Sequence, residues 1–214
     1  MKALLYKSFR LVCHPMTLVF PFFGVMLLIP SYPYTLIFFY VMLGLFFSFV
    51  NSREQKDIYY SALLPIRKRD TVRASALFML LVELVSLVVA IPFAVLSCRV
   101  NPLGSNAVGL EPNAALFAAG LLLYAIFNGI FLTAFYKTAY KVGVSFLKAI
   151  IPVSLAMIAC EASVHVPGMA WLEDCTAAGQ LRLLPLLAAA AVIYGAGLWM
   201  AYRKAAQNYE KVDL

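Results

Sequence analysis

Glu83 and Asn128 are polar groups set in stretches that otherwise read as membrane spans. Glu83 lies about nine residues into the apolar stretch 74–97, counted from its basic end, and Asn128 lies about eight residues from the basic end of 114–136. An ionised group at that depth costs roughly 2.5–3.5 kcal/mol on insertion scales unless it is paired or hydrated. Antiparallel helices bring the two to similar depth. We read them as an interhelical hydrogen bond holding the bundle together, with the lining of a substrate path as the alternative. Glu161 and His165 are four apart and share one helix face near the opposite end of their stretch. They lack a third metal ligand, so the expectation is a hydrated pair at the outer mouth. With two histidines in the chain, a multi-histidine metal site is excluded. The four cysteines, Cys13, Cys98, Cys160 and Cys175, lack metal-site spacing. For Cys98 and Cys175, both placed outside below, a disulfide competes with the favoured reading of scattered small apolar residues. There is no G-x-x-x-x-G-K-[ST] phosphate loop, no H-E-x-x-H and no G-x-S-x-G. The chain is therefore expected to be neither an enzyme nor a metalloprotein, and to hold no cofactor of its own.

A second constellation is the polar interruption NSREQKDIYYSALLPIRKRDTVR, residues 51–73. Six of its residues are Lys or Arg, which retains it on the cytoplasmic side of a membrane. It also carries Tyr59, Tyr60, Leu63 and Leu64 at i, i+3 and i+4 spacings, opposite polar Arg53, Lys56 and Asp57. Residues 53–64 are predicted to form three helical turns ending before Pro65, and Asp70 to cap the next helix. Such a helix either docks on a cytoplasmic partner or rests on lipid.

The elements that position these groups follow from composition. The chain has 214 residues, of which 64% are hydrophobic and 13% charged, and a mean hydropathy of +0.88. A soluble domain has about 45–50% apolar and about 25% charged residues, so lipid must be the solvent. The net charge of +7 sits in the gaps between apolar runs, which argues for topology signals rather than nucleic-acid binding. Residues 1–14 fit an amphipathic interfacial helix with Lys7, Arg10 and His14 on one face. They resemble a signal-peptide start, but no small-residue cleavage site follows, so the segment is kept.

Residues 16–50 carry no charge, and Pro30 and Pro33 interrupt them near the middle. One straight helix there would be about 52 Å long against roughly 30 Å of hydrocarbon. The stretch is predicted to be a hairpin of spans 16–30 and 34–50. Spans at 74–97, 114–136, 143–165 and 182–202 complete an all-α polytopic fold of six spans in a single domain, 1–214. Outer loops are 98–113 and 166–181, the second reading as a short interfacial or re-entrant helix around Trp171. Of the 17 Lys and Arg, all but Arg99 and Arg182 then lie inside, which places both termini in the cytoplasm.

The run from Glu54 to Asp70, E-x-K-D-I-x-x-x-x-L-L-P-I-R-K-R-D, resembles the cytoplasmic loop of small bacterial permeases of the ABC-2 type. The layout of the whole chain is similar to that family, including permeases that export amphipathic peptides such as phenol-soluble modulins. The resemblance implies the permease subunit of an exporter in the bacterial cytoplasmic membrane. It implies pairing with a second copy or a related permease, and with a separate ATPase that binds ATP and Mg. It implies that the loop forms a coupling helix on the ATPase, with Glu54, Asp57, Tyr59, Tyr60, Leu63, Leu64, Pro65, Arg67, Lys68 and Arg69 as the contact. Larger family members have an outer domain, whereas the outer loops here are about 16 residues long. Two other readings stay open: a non-transporting recruiter of a cytoplasmic partner, and an ion-coupled transporter using Glu83.

Overall fold

The computed structural model of the chain describes residues 1–101, 106 and 108–212. The middle of the expected outer loop 98–113, namely 102–105 and 107, and the end of the C-terminal tail, 213–214, lie outside the described residues. The described residues form helices and no strand. In chain order the helices are α1 (Lys2–Lys7), α2 (Pro15–Val19), α3 (Leu36–Glu54), α4 (Asp57–Leu63), α5 (Lys68–Val100), α6 (Ala114–Phe135), α7 (Val142–Ser163) and α8 (Ala177–Glu210). Five of them, α3 and α5–α8, are long and apolar enough to cross a membrane, and the segments Lys2–Val12 and Pro15–Leu28 add a pair bent by 106°. The expected all-α polytopic fold is what the chain adopts.

The first expected span differs in kind. After α2 the chain continues as a 3₁₀ helix, Phe20–Leu28. Pro21 supplies no N–H to an α-helical ladder. The tighter winding rises about 2.0 Å per residue, so Pro15–Leu28 reaches about 25 Å, close to the roughly 30 Å hydrocarbon core. Its polar ends are satisfied by neighbours, as lipid demands. Thr17 donates its hydroxyl to the Gly44 carbonyl at 2.5 Å and lies 2.7 Å from the Ser48 hydroxyl. At the other end Ser97 Oγ donates to Leu27 O at 2.6 Å, and Asn101 Nδ2 to Leu28 O at 3.3 Å. Gly44 is needed here, because a Cβ would stand 3.0 Å from the Thr17 Cα. The Pro30–Pro33 turn then leads into α3, as predicted.

α6 is the centre of the bundle and packs chiefly on α8 and α7. Phe127, Phe131 and Phe135 recur every four residues on one of its faces, with ring centroids 5.0 and 6.2 Å apart. Phe49 of α3 meets the last two edge-on at 4.9 Å each. Gly120 leaves the space that the Phe38 ring fills. α5 and α8, of 33 and 34 residues, run about 50 Å and overshoot the hydrocarbon. Their basic ends meet: Arg69 forms a two-point ion pair with Glu210, and Lys68 Nζ donates to Val212 O at 2.6 Å and sits over the Tyr209 ring.

The N-terminal segment is helical as expected, but α1 gives way to a π-helical stretch, Ser8–Val12. His14 does not continue the amphipathic face. It caps α2, its Nδ1 accepting from Met16 N at 3.2 Å. The 166–181 stretch holds a short 3₁₀ turn, Ala170–Glu173, with Trp171 exposed and Leu172 buried, and its last residues already belong to α8.

Candidate functional site

The loop helix is shorter than its periodicity predicts. α3 runs on to Glu54, and Lys56 then takes a left-handed conformation, φ 53° and ψ 32°. That conformation costs a non-glycine residue roughly 1–2 kcal/mol and ends helices. It turns the chain so that α4 starts afresh at Asp57 and ends at Leu63. Leu64 is extended, as a residue before proline prefers. α5 begins at Lys68 with Arg67 in the capping position, so Asp70 lies in the first turn and does not cap it.

α4 has two faces of opposite character. Inward, Asp57 forms an ion pair with Lys7 of α1 at 2.9 Å, and the same ammonium donates to Ser61 Oγ at 2.6 Å. Ser61 Oγ in turn donates to Asp57 O at 2.7 Å, and Ile58 is buried beside them. Outward, Tyr59, Tyr60, Leu63 and Leu64 are 50, 61, 68 and 52% exposed. The fold thus places these four large apolar side chains on one exposed surface. Glu54 is exposed at the end of α3, 4.0 Å from Arg53, and Pro65 is exposed directly after Leu64. Asp57 pairs with Lys7 of α1, and Lys68 and Arg69 reach the C-terminal end of α8.

A polar cluster lies among α5, α6 and α8. Glu83 and Asn128 are fully buried. Asn128 Nδ2 donates to Glu83 Oε2 at 2.9 Å, and the Tyr194 hydroxyl donates to the same oxygen at 2.6 Å. The Ser86 hydroxyl reaches Glu83 O at 2.7 Å and the Tyr124 hydroxyl at 2.8 Å. Glu83 Oε1 and Asn128 Oδ1 have no partner among the described residues.

Glu161 and His165 differ in environment, the first buried and the second exposed. Glu161 is buried and acts as a staple: Oε1 accepts from Thr35 N at 2.9 Å and Thr35 Oγ1 at 2.7 Å, and Oε2 from Leu110 N at 2.9 Å. Gly109 makes the approach feasible, since a Cβ there would overlap the carboxylate. His165, on the same face, lies 3.4 Å from Val108 O. Both line a cavity of about 490 Å³ with Thr35, Phe39 and Met157. The partners Tyr194, Thr35 and Ser61 were not singled out from sequence, and Lys7 was expected only on the face of an interfacial helix. For Tyr194 a signal existed, a hydroxyl inside an apolar stretch. For Leu110 none did, because its contribution is a backbone N–H. No group of three or more metal-ligating side chains occurs among the described residues.

No curated protein and no solved structure matches the chain. The family described as ABC-2 family transporter protein matches residues 3–200, from the interfacial start through most of α8. A charge-free broken hairpin, a clamped helix between α3 and α5 and a central α6 are thus the form this sequence gives to that family: the chain belongs to the ABC-2 family of transporter proteins and is a membrane permease of an ABC-type system.

Proposed function

We propose that the chain is the permease subunit of a bacterial exporter, and that α4 is the helix through which a separate ABC ATPase drives it. The observation that carries this reading is the two-faced α4. A seven-residue helix outside the spans leaves Tyr59, Tyr60, Leu63 and Leu64 largely uncovered by the rest of the chain. Apolar and aromatic anchors of that kind dominate protein contacts when they enter a partner's groove. The opposite face is tied to α1, so a displacement of α4 is delivered to α1 through Lys7 and to α3 through the two-residue break at Gln55 and Lys56. A rigid helix linked to two others suits the transmission of a discrete movement.

In this reading ATP and Mg bind the partner ATPase and the permease contributes no ATP chemistry. A second copy or a related permease completes the transport path. Both termini and α4 face the cytoplasm of a bacterial cell, a placement supported by the asymmetry of Lys and Arg. Purification of the tagged protein in mild detergent tests the reading. An ATP-binding subunit with ATPase activity is expected to co-purify. Isolation of the permease free of any ATP-binding protein, from cells producing the whole operon, would overturn it.

A further inference from the structure

We infer that Cys98 and Cys175 are joined by a disulfide on the outer side of the membrane. The two lie at the far end of α5 and just before α8, separated in sequence by two helices. Three contacts converge on one short stretch of backbone. Cys98 Sγ reaches Pro112 O at 3.5 Å. Asn113 Nδ2 donates to Leu172 O at 2.6 Å, and Ala114 N donates to Gln180 Oε1 at 3.0 Å. Residues 112–114 therefore hold Cys98 on one side and both flanks of Cys175 on the other. The outcome is that the two thiols, free in this structure, line the same cleft.

Cys175 is also held locally. Asp174 Oδ1 accepts from Thr176 N at 2.8 Å, and Thr176 Oγ1 caps α8 by accepting from Gly179 N at 3.1 Å. Both thiols are partly exposed and border a cleft of about 700 Å³ among α5, α6 and α8, where an oxidant has access. Cys13, beside α2, and Cys160, within α7, are not placed on this loop.

The chemistry is a two-electron exchange. The Cys98 thiolate attacks the disulfide of an extracytoplasmic oxidant and expels one of its sulfurs as a thiolate. Cys175, giving up its proton, then attacks the Cys98 sulfur of the mixed disulfide and expels the second. The permease loses two protons and two electrons, and the oxidant becomes a dithiol. The product ties the outer ends of α5 and α8, the two longest helices, across the mouth of the cleft.

The inference rests on the orientation given under Proposed function, and the test separates the two. Membranes are quenched with acid, denatured, and treated with a polyethylene-glycol maleimide with and without reductant. Wild type is expected to take up label at two of its four cysteines without reductant and at all four with it. Cys98→Ser and Cys175→Ser should each label fully at the remaining three without reductant. Four labels on unreduced wild type overturn the disulfide. In intact cells an impermeant reductant should expose Cys98 and Cys175 to an impermeant maleimide. If that fails while the denatured protein still shows two labels, the pair is oxidised but the orientation is wrong. The outer-side disulfide is then overturned together with the orientation.

Discussion

Asn128 and Glu83 meet at 2.9 Å across α6 and α5, and Tyr194 of α8 adds a second donor to the same carboxylate oxygen. One residue from each of three helices thus meets at one buried point, and Glu83 Oε1 and Asn128 Oδ1 have no donor among the described residues. A glutamine at 83 would offer an N–H to Asn128 Oδ1 and keep an acceptor for Asn128 and Tyr194. Glu83→Gln is therefore expected to retain assembly and transport, and to unfold in detergent no earlier than wild type. Glu83→Leu should lose about 0.6–2 kcal/mol of bundle stability, the range for interhelical polar contacts. If Glu83→Gln abolishes transport in an intact complex, the group lines a path or carries an ion.

On the outward surface of α4 the apolar residues should dominate. Tyr60→Ala or Leu64→Ala is expected to release the ATPase, at about 2 kcal/mol or more per anchor, with membrane insertion unchanged. Lys68→Gln should weaken the contact mildly and in a salt-dependent way. A helix resting on lipid predicts another order, in which basic residues act cumulatively and no aromatic is decisive. Co-purification that survives both apolar substitutions removes α4 as the coupling element.

The inward face makes a separate prediction. Lys7→Ala should free α4 from α1, seen as faster amide exchange over Asp57–Leu63, while the ATPase still binds and transport falls. The swapped pair Lys7→Asp with Asp57→Lys should restore part of both, because the ion pair is partly shielded from water. Normal transport in Lys7→Ala would show that the clamp transmits nothing.

Gly109 and Glu161 should behave as one unit. Glu161→Ala deprives the buried Thr35 and Leu110 N–H groups of their acceptor, at about 1–3 kcal/mol for each donor left unpaired. Gly109→Ala should produce the same loss by pushing the carboxylate away. Both are read as a lowered melting temperature in detergent. Wild-type stability in Gly109→Ala would mean the loop accommodates a Cβ.

Orientation has its own check. In a cysteine-free background, Glu173→Cys should label with an impermeant reagent in intact cells, and Lys68→Cys only after lysis. Labelling of position 68 in intact cells would reverse the topology.

Sequence alone determined the class of the protein and the number of its apolar stretches, because hydropathy and the placement of Lys and Arg are summed over many residues and tolerate local error. It also located the break at Pro30–Pro33, the loop carrying Tyr59 to Leu64, and the pairing of Glu83 with Asn128, since antiparallel spans fix depth. Only the tertiary structure decided the rest. The 3₁₀ winding of Phe20–Leu28 is closed at its far end by Ser97 and Asn101, which arrive from the end of α5. The break at Lys56 comes from a left-handed backbone turn that no side-chain pattern announces. Lys7 finds Asp57, and Glu161 finds a backbone N–H at Leu110, across long separations in the chain. Periodicity reports which face a residue occupies. It does not report which distant residue will arrive opposite that face, and in this protein those arrivals set the clamp on α4 and the staple at Glu161.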